Sequence, residues 1–554
     1  MEKCEFKTIL FFSFFITLLS ACSEKKGKFV KLSPDETNIT FSNTISENDS
    51  INVFDFANIY NGGGVGVGDF NNDGLQDLYF TGNMVSNKLY LNKGNMKFAD
   101  VTTESKTDGK GVWSRGAAVV DINNDGKMDV YVCATAKQDP QSRINILYIN
   151  QGLDNNGVPF FKDMAKEYGL ADTTQSTMAY FFDYDNDGDL DLFIGVNHIL
   201  SWDYPNAFRK RNLNGEHPST CRLYQNDWND SLQHPVFTDV SRQAGILIEG
   251  YTHAVDIFDV NNDGWMDMLV LNDYISDNVL YINNHDGTFT DKVTEYFKHT
   301  AANSMGSDAI DINNDGLDDV IEVDMSPEDN YRKKMFQNSN NYRMYQNSDL
   351  YGYQYQYVRN MVQLNQGPTY GQMDSIQHPV FSDVGFFCGI AETDWSWTPL
   401  VADFDNDGKR DILFTNGFPK DITDHDFIMF RKHANDLITK KEMLEEIPKV
   451  KIHNYIYKND GALKFTNKTL DWGLEEPSFS NGAVYVDLDN DGDLDVVINN
   501  IDGQAMIYEN SISDDKEKKH FIDLKFTGSP KNINGIGAKA ILHQKQAVQT
   551  FSNN

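Results

Sequence analysis

The stretch DYDNDGDLDL, residues 183–192, places aspartates at five alternating positions. Like charges at this spacing repel one another, and they cannot be buried without a partner of opposite charge. The same pattern, D-x-[DN]-x-D-G-x-x-D, occurs seven times in the 554-residue chain, starting at residues 69, 121, 183, 259, 311, 403 and 487. The chain is therefore built from repeats of roughly 50 residues with variable insertions.

The loops have the spacing of a calcium site, because calcium takes about six to eight oxygen ligands. Positions 1, 3, 5 and 9 offer side-chain oxygens, and position 7, whose residue type varies freely, offers its backbone carbonyl. Glycine at position 6 permits the tight turn that brings position 9 back. We predict one calcium ion per loop, about seven in all. The predicted ligands are Asp69, Asn71, Asp73, Leu75, Asp77, Asp121, Asn123, Asp125, Lys127, Asp129, Asp183, Asp185, Asp187, Asp189, Asp191, Asp259, Asn261, Asp263, Trp265, Asp267, Asp311, Asn313, Asp315, Leu317, Asp319, Asp403, Asp405, Asp407, Lys409, Asp411, Asp487, Asp489, Asp491, Asp493 and Asp495. Among the position 7 residues, we do not expect the Asp189 side chain to be a ligand.

The EF-hand begins in the same way but needs an acidic residue at position 12 and flanking helices. Position 12 is acidic only in the fifth loop, at Glu322, and each loop is followed by a strand-like segment such as DLYF or DVVI. EF-hands and dockerins are therefore excluded. Acidic surface turns that bind nothing would explain one copy but not seven.

Each loop lies between two strand-like segments, and a third and usually a fourth strand follow, as in KLYLNKG and KFADV. Seven such units predict an all-β fold, a seven-bladed β-propeller of four-stranded antiparallel blades. Small residues near the start of the first strand, such as Gly64 and Gly306, suit strands crowded around an axis. The seventh unit lacks a clear fourth strand, and we expect NITFSN, residues 38–43, to complete it and close the ring.

The loop motif in this strand context resembles the FG-GAP, or VCBS-type, repeat of the calcium-binding propeller in integrin alpha chains. The segment HFIDLKFTGSPKNINGIGAKAILHQ resembles the opening of the ASPIC/UnbV domain, which follows such propellers in cartilage acidic protein relatives. The expected organisation is a signal peptide at residues 1–21 and a lipid-anchor linker at 22–35. The propeller, with loop and helix insertions, is expected at 36–512, and a partial C-terminal β domain of ASPIC/UnbV type at 516–554.

The N-terminus combines Lys3 and Lys7, an apolar stretch and the tetrapeptide LSAC, which ends at Cys22. This pattern predicts a secretory signal with a bacterial lipobox, so we expect acylation of Cys22. The protein would then be an exported outer-membrane lipoprotein that faces the periplasm or the cell surface. The alternative is an ordinary signal peptide with a chance cysteine. Three further cysteines do not form a disulfide framework.

The formal net charge of −34 argues strongly against a nucleic-acid partner, because phosphate contacts need a basic surface. No catalytic motif is present, and His198, His253 and His453 lie in different units, where we expect structural or surface roles. The leading hypothesis is a calcium-stabilised module for binding or cell adhesion, with a glycan or protein ligand. The alternative is a carbohydrate-active lyase or dehydratase with its site on the propeller axis. A third possibility is a structural spacer.

Long insertions at 197–222, 324–358 and 416–453 each fall between the second and third strands, so they share the face opposite the calcium loops. We expect the ligand on this face, near Trp113, Trp395 and Trp397 at the axis. The alternative is that the insertions pack on one another as a cap; the third, which contains FIMFRKHANDLITKKEMLEEI, is expected to form an amphipathic helix. The candidate aromatic and basic residues are Trp202, Tyr204, Phe208, Arg209, Lys210, Arg211, Tyr331, Arg332, Lys333, Lys334, Tyr342, Arg343, Tyr345, Tyr351, Tyr353, Tyr355 and Tyr357.

Overall fold

Seven four-stranded antiparallel sheets follow one another along the chain, and each carries one aspartate loop between its first two strands. The computed structural model describes residues 27–199, 205–337, 341–370, 376–434, 437–512, 521–522, 524–543 and 548–553. The predicted signal peptide, Cys22, Trp202 and Tyr204 lie outside the described residues. The first strands of successive blades contact each other around the ring, and those of blades VII and I also touch. The predicted seven-bladed β-propeller is confirmed.

The blades are numbered I to VII in chain order, and strands 1 to 4 run from the axis outward. Blade I consists of Val65–Gly68, Asp77–Phe80, Lys88–Asn92 and Phe98–Asp100, and blade II of Trp113–Val120, Asp129–Thr135, Ile146–Leu153 and Pro159–Asp163. Blade III consists of Ser176–Phe182, Asp191–Val196, Arg222–Asn229 and His234–Asp239, and blade IV of Thr252–Phe258, Asp267–Asn272, Val279–Asn283 and Phe289–Asp291. Blade V consists of Gly306–Ile310, Asp319–Val323, Met361–Tyr370 and Ile376–Asp383, and blade VI of Ser396–Ala402, Asp411–Asn416, Tyr455–Gly461 and Lys464–Asn467. Blade VII consists of Ser480–Val486, Asp495–Asn500, Met506–Asn510 and a strand from the N-terminus, Phe29–Leu32.

The second strands are buried along their whole length, as in DLFIGV and DMLVLN, because neighbouring blades cover both faces of each sheet. The first strands need small residues where they approach the axis. A Cβ on Gly306 would lie 2.1 Å from the Trp397 carbonyl oxygen, and one on Gly482 would lie 2.6 Å from that of Gly63. The glycines that precede the loops therefore serve close packing between blades, as predicted.

The strand that closes the ring is Phe29–Leu32, and the prediction that residues 38–43 close it is wrong. Phe29 pairs with Asn510 and Leu32 with Ile507 on strand 3 of blade VII. Phe29 is buried against Phe404, at 5.9 Å between ring centroids, which holds this strand on the blade. Residues 38–43 instead bury Ile39 and Phe41 in the core between blades VII and I.

Among the described residues, the helices longer than one turn lie in the insertions of blades V and VI. The insertion of blade V contains Asn330–Met335 and Tyr342–Tyr351, and a short strand at Gln356–Tyr357 that pairs with Thr300–Ala301. The insertion of blade VI contains two helices, His425–Ala434 and Lys440–Glu445, and not the single helix that we expected. Thr439 begins the second helix through a capping box with Glu442, which explains the separate start. One-turn helices are Pro34–Thr37, Thr102–Ser105, Val293–Tyr296, Gly385–Cys388 and Thr469–Trp472, and 3-10 turns are Ala57–Tyr60, Gly109–Gly111 and Pro140–Ser142.

After blade VII the chain forms a two-stranded hairpin, Ala538–His543 and Val548–Asn553, which is the only regular structure in the described part of residues 521–553. Among the described residues, none of the helices has the length and apolar character needed to cross a membrane.

Candidate metal sites and ligand face

All seven loops adopt one backbone conformation. Position 4 is asparagine in every loop and has a positive φ of 51° to 59°, and glycine at position 6 has a φ of 82° to 94°. The first aspartate closes the turn: in blade III, Asp183 accepts hydrogen bonds from the backbone N–H groups of Asp187 and Gly188, at 3.1 and 2.9 Å. The other six loops repeat these two bonds.

The aspartate at position 9 begins strand 2 and is buried in every blade. Its Oδ1 accepts the backbone N–H of an asparagine on strand 3, as in Asp191 with Asn226 at 2.8 Å. Burial raises the pKa of Asp191 to about 9 and that of Asp77 to about 7. A carboxyl group in such surroundings needs either a proton or a nearby cation.

In blades III, VI and VII the carboxylates at positions 1, 3 and 9 converge. One oxygen from each lies within 4.8 Å of the other two, in the groups Asp183, Asp185 and Asp191; Asp403, Asp405 and Asp411; and Asp487, Asp489 and Asp495. Two oxygens that share a calcium ion at about 2.3–2.6 Å lie at most about 5.2 Å apart, so these separations allow one ion to bind all three. Asp411 is fully buried, and its Oδ2 has no hydrogen-bond partner. The donor set and the unpartnered oxygen therefore fit a hard cation. The remaining four blades have asparagine at position 3, which offers an amide oxygen instead.

Among the described residues, the carboxylate at position 5 does not belong to the three converging groups. In every loop its Oδ1 accepts the backbone N–H of position 7, as in Asp187 with Asp189 at 3.0 Å. Its second oxygen often meets a cationic side chain, such as Lys127 beside Asp125 at 2.6 Å. The carbonyl of position 7 as a ligand therefore stays a prediction. Glu322, the acid at position 12 of loop V, is buried in strand 2 and accepts a hydrogen bond from Asn278.

The asparagine at position 4 has a role that our sequence reasoning missed. In five loops its amide donates to the carbonyl oxygen of the position 6 glycine in the next loop, as in Asn72 with Gly126 at 3.0 Å and Asn314 with Gly408 at 2.9 Å. The same bond joins loops III to IV, VI to VII and, across the closure of the ring, VII to I. The signal was available, because all seven motifs contain this asparagine.

An asparagine of the third strand was missed in the same way. In blade II, the backbone N–H of Asn150 donates to Asp129 at 2.7 Å. Its side-chain amide donates to the carbonyl oxygen of Phe70 in loop I at 2.9 Å. Equivalent bonds to the preceding blade are made by Asn92, Asn283, Asn459 and Asn510. In five of the seven blades the position 9 carboxylate is thus positioned by a residue that also joins two blades, whereas Asn226 and Asn365 bond a carbonyl oxygen of their own blade.

The C-terminal segment lies across the loop face. Lys531 Nζ is 3.2 Å from Asp187 Oδ2, and Lys539 Nζ is 2.8 Å from Asp318 Oδ2. The hairpin reaches the loop of blade VI, where Gln549 donates to the carbonyl oxygen of Gly408 at 2.6 Å. Basic side chains of this segment therefore meet the acidic loops.

On the opposite face, the three insertions contact one another. Phe208 of the first packs on Tyr351 and Tyr353 of the second, at 5.9 and 5.7 Å between ring centroids. Arg332 of the second pairs with Asp421 of the third at 2.7 Å. These contacts agree with the alternative expectation, in which the insertions pack on one another as a cap. We call residues 205–222, 324–337, 341–358 and 416–453, where described, the cap.

Two of the candidate ligand residues stabilise the cap. Tyr353 is 8% exposed, and its hydroxyl donates to the carbonyl oxygen of Arg209 at 2.9 Å. The Arg209 guanidinium pairs with Glu249 at 2.6 Å. Trp113, Trp395 and Trp397 are also buried, in one hydrophobic cluster with Phe418 of the cap.

Other tyrosines of the cap are open to solvent. Tyr342 is 71% and Tyr345 47% exposed. Their rings are nearly parallel, at 6.5 Å and 16°, and Tyr345 stacks on Tyr355 at 4.8 Å and 9°. These three rings, which we call the tyrosine shelf, border a cavity of about 270 Å³ that is also lined by Asn341, Met344, Ser348, Gln356 and Tyr357.

His253 lies near the axis under the cap and is 3% exposed. Arg115 approaches its Nδ1 at 2.6 Å, and Asp273 lies 3.3 Å from its Nε2. Burial lowers the pKa of His253. A buried, neutral histidine that is bonded on both nitrogens suits the structural role that we expected.

The model of the FG-GAP-like repeat matches residues 69–132 and 220–321 of this chain. Cartilage acidic protein 1 of Xenopus tropicalis is 28% identical over 138 residues, which is 24% of this chain and 20% of that protein. The proteins of the same name from Mus musculus and Homo sapiens are each 24% identical, over 210 and 213 residues, or 38% of this chain and 28% of theirs. The chain thus carries FG-GAP-like repeats and is homologous to cartilage acidic protein 1, although the matches span less than a third of these relatives.

Two solved structures were also found at low identity. The exotype rhamnogalacturonan lyase YesX is 11% identical, with a TM-score of 0.36 over 81% of this chain and 72% of that chain. BBS1N, from its complex with ARL6DN, is 8% identical, with a TM-score of 0.35 over 87% of this chain and 97% of that chain. Neither likeness bears on function.

Proposed function

We propose that the protein is an exported, lipid-anchored binding module, stabilised by calcium, which holds a glycan on the tyrosine shelf. The calcium part is supported by the converging carboxylates of blades III, VI and VII and by the unpartnered, buried Asp411 Oδ2. Calcium bound to the loops would neutralise carboxylates that otherwise repel one another, and would stabilise the ring that carries the cap.

The tyrosine shelf is the observation that carries the binding role. Exposed aromatic rings cost free energy in water unless a partner covers them. Tyr342, Tyr345 and Tyr355 present nearly parallel rings, and the C–H-bearing face of a pyranose ring stacks on an aromatic surface of this kind. The neighbouring Gln356 side chain donates one N–H to the carbonyl oxygen of Ser276 at 3.0 Å, and an amide has further hydrogen-bonding capacity for a sugar hydroxyl. This arrangement favours a glycan over a protein ligand.

A glycan array probed with the purified chain (residues 22–554 with Cys22→Ser) tests the proposal. Replacing Tyr342 and Tyr345 together by alanine should lower the affinity for a bound glycan at least tenfold, or about 1.4 kcal/mol. Tyr370→Ala is the matched control: this tyrosine is 70% exposed but ends strand 3 of blade V, towards the loop face.

Equal loss of affinity in the control and in the double variant would contradict the shelf as the binding site. If the purified chain bound proteins but no glycan, the ligand would be a protein and the glycan proposal would be wrong. Eliminative cleavage of a polysaccharide would favour the lyase alternative over the binding module.

Acylation of Cys22 would also orient the protein. Lys28 lies at the loop face, 3.2 Å from Asp405 of loop VI. The six residues from Cys22 to Lys28 span at most about 22 Å when fully extended. A lipid on Cys22 would therefore hold the loop face towards the membrane and leave the cap and its tyrosine shelf directed away from it.

A further inference from the structure

The seven blades differ at one position of the third strand. This position directly precedes the strand 3 asparagine that all seven blades share. Blades I, II, IV and V carry an aliphatic residue there, namely Leu91, Ile149, Ile282 and Leu364. Blades III, VI and VII carry a polar one, namely Gln225, Lys458 and Glu509. The division coincides with position 3 of the loop, which is asparagine in the first group and aspartate in the second.

The contacts explain why these two positions vary together. In blade III, Gln225 donates its amide to Asp185 Oδ2 at 3.0 Å. In blade VI, the Lys458 ammonium group bonds Asp405 and, at 2.6 Å, Asp407. In blades III and VI the third-strand residue therefore meets position 3, one of the three carboxylates that converge in these loops. In blade VII the residue is Glu509, and burial together with negative charges that include Glu509 raises the pKa of Asp489 at position 3.

Blade VI is the loop with the most cationic surroundings of the three. A second ammonium group, that of Lys28, lies 3.2 Å from Asp405, and Lys409 lies 3.1 Å from Asp407. Two loop carboxylates, Asp405 and Asp407, thus contact three lysines. Asp405 is 5% exposed, so its charge is neutralised within the protein rather than by solvent.

We propose that Lys458 is a built-in cation of loop VI, and that this loop binds calcium at least tenfold more weakly than the other six. The inference rests on the proposed binding of calcium by the loops. Calcium at loop VI would have to displace the ammonium group from two carboxylates and then remain beside its positive charge. The loop is nevertheless a latent site, because Asp411 Oδ2 keeps its buried position without a partner.

Counting bound ions tests the inference. The purified chain (residues 22–554 with Cys22→Ser) is stripped with EDTA, and native mass spectrometry follows ion uptake as chelator-buffered free calcium is raised. We expect six ions to bind first, and a seventh only at tenfold or higher free calcium. Lys458→Leu, which copies blade V, should bind all seven together. Lys458→Gln, which copies blade III, serves if the leucine variant does not fold.

Two further variants sharpen the count. Lys409→Leu is the matched control, because Lys409 pairs with Asp407 and comes from the same loop; it should still bind six ions first. Gln225→Lys transfers the lysine to blade III and should leave five ions in the first set.

The outcomes separate the inference from the proposal beneath it. Seven equivalent ions in the unaltered chain, or no gain in the Lys458 variants, would overturn the inference while calcium binding stands. No bound ions in any variant would refute the calcium sites altogether.

Discussion

Removal of the closing strand tests how the ring is held together. A chain that begins at Pro34 lacks Phe29–Leu32 but keeps residues 38–43, which the sequence favoured as the closing strand. If residues 38–43 closed the ring, this truncation would be harmless. In the structure, it exposes strand 3 of blade VII as an open edge and uncovers the ring of Phe404.

The loss can be estimated from the contacts. Phe29 is 2% exposed, and deletion of a buried phenylalanine side chain costs about 3–5 kcal/mol. The backbone bonds of the four paired residues add roughly 1 kcal/mol each at most. We expect a loss of about 5 kcal/mol or more, and a melting temperature lower by roughly 5–10 °C for a ring of this size.

Differential scanning calorimetry with saturating calcium measures the effect, and a chain that begins at Gly27 is the control. Phe29→Ala should account for most of the loss, whereas Val30→Ala, on the half-buried face of the same strand, should cost less than about 1 kcal/mol. An unchanged melting temperature in the chain that begins at Pro34 would refute closure by Phe29–Leu32.

Four further predictions follow from the loops, the core and the N-terminus. EDTA should lower the melting temperature and calcium should restore it. Each bound ion stabilises the fold by about 2.7 kcal/mol when free calcium is a hundred times the Kd of its site. An unchanged melting curve at low salt would contradict the calcium sites. Burial raises the pKa of Glu322 from 4.5 to about 8. The contribution of its protonated form to folding stability is therefore complete below pH 4.5 and is lost as the pH rises towards 8. Glu322→Gln should therefore match the unaltered chain at pH 4 and exceed it at pH 8 by on the order of 2–4 kcal/mol, as measured by urea unfolding. Asn314→Gly keeps the positive φ but removes the bond to Gly408, and should cost about 1 kcal/mol, whereas Asn314→Ala adds backbone strain and should cost more. Cys22→Ser should release the protein from the membrane fraction, and mass spectrometry that finds no lipid on Cys22 of the unaltered chain would exclude acylation.

Repetition is what made the fold predictable. One copy of D-x-[DN]-x-D-G-x-x-D is compatible with several folds, but seven copies, each followed by a strand, require a ring of sheets. The closing strand was harder to find because FVKL is a single unrepeated segment. Residues 38–43 carry a similar apolar pattern, and their Ile39 and Phe41 are indeed buried, but between blades rather than in a sheet. Local pattern does not distinguish these two forms of burial.

The site was predictable to a similar degree. The motif identified the converging carboxylates, but not the asparagines that join loops and blades, because their partners lie on other repeats. Tyr353 and Arg209 were chosen as ligand residues by type alone. Tyr353 instead lies against Phe208, and Arg209 against Glu249, because two insertions far apart in sequence meet in the cap.

The two faces of the propeller differ in what already covers them. The loop face is crossed by the chain's own C-terminal segment, whose Lys531 and Lys539 meet loop carboxylates, and the closing strand starts beside it at Lys28. A large ligand approaching the loops would have to displace these contacts. The cap buries aromatic residues such as Tyr353 and Phe418, and the tyrosine shelf, where Tyr342 and Tyr345 are exposed, lies on its open side. Ligand binding at the shelf therefore needs no rearrangement of the calcium loops, and calcium should act on affinity only through the stability of the ring. Calcium titration at a temperature well below the melting point should accordingly leave glycan affinity unchanged, and a direct requirement for calcium under those conditions would move the binding site to the loops.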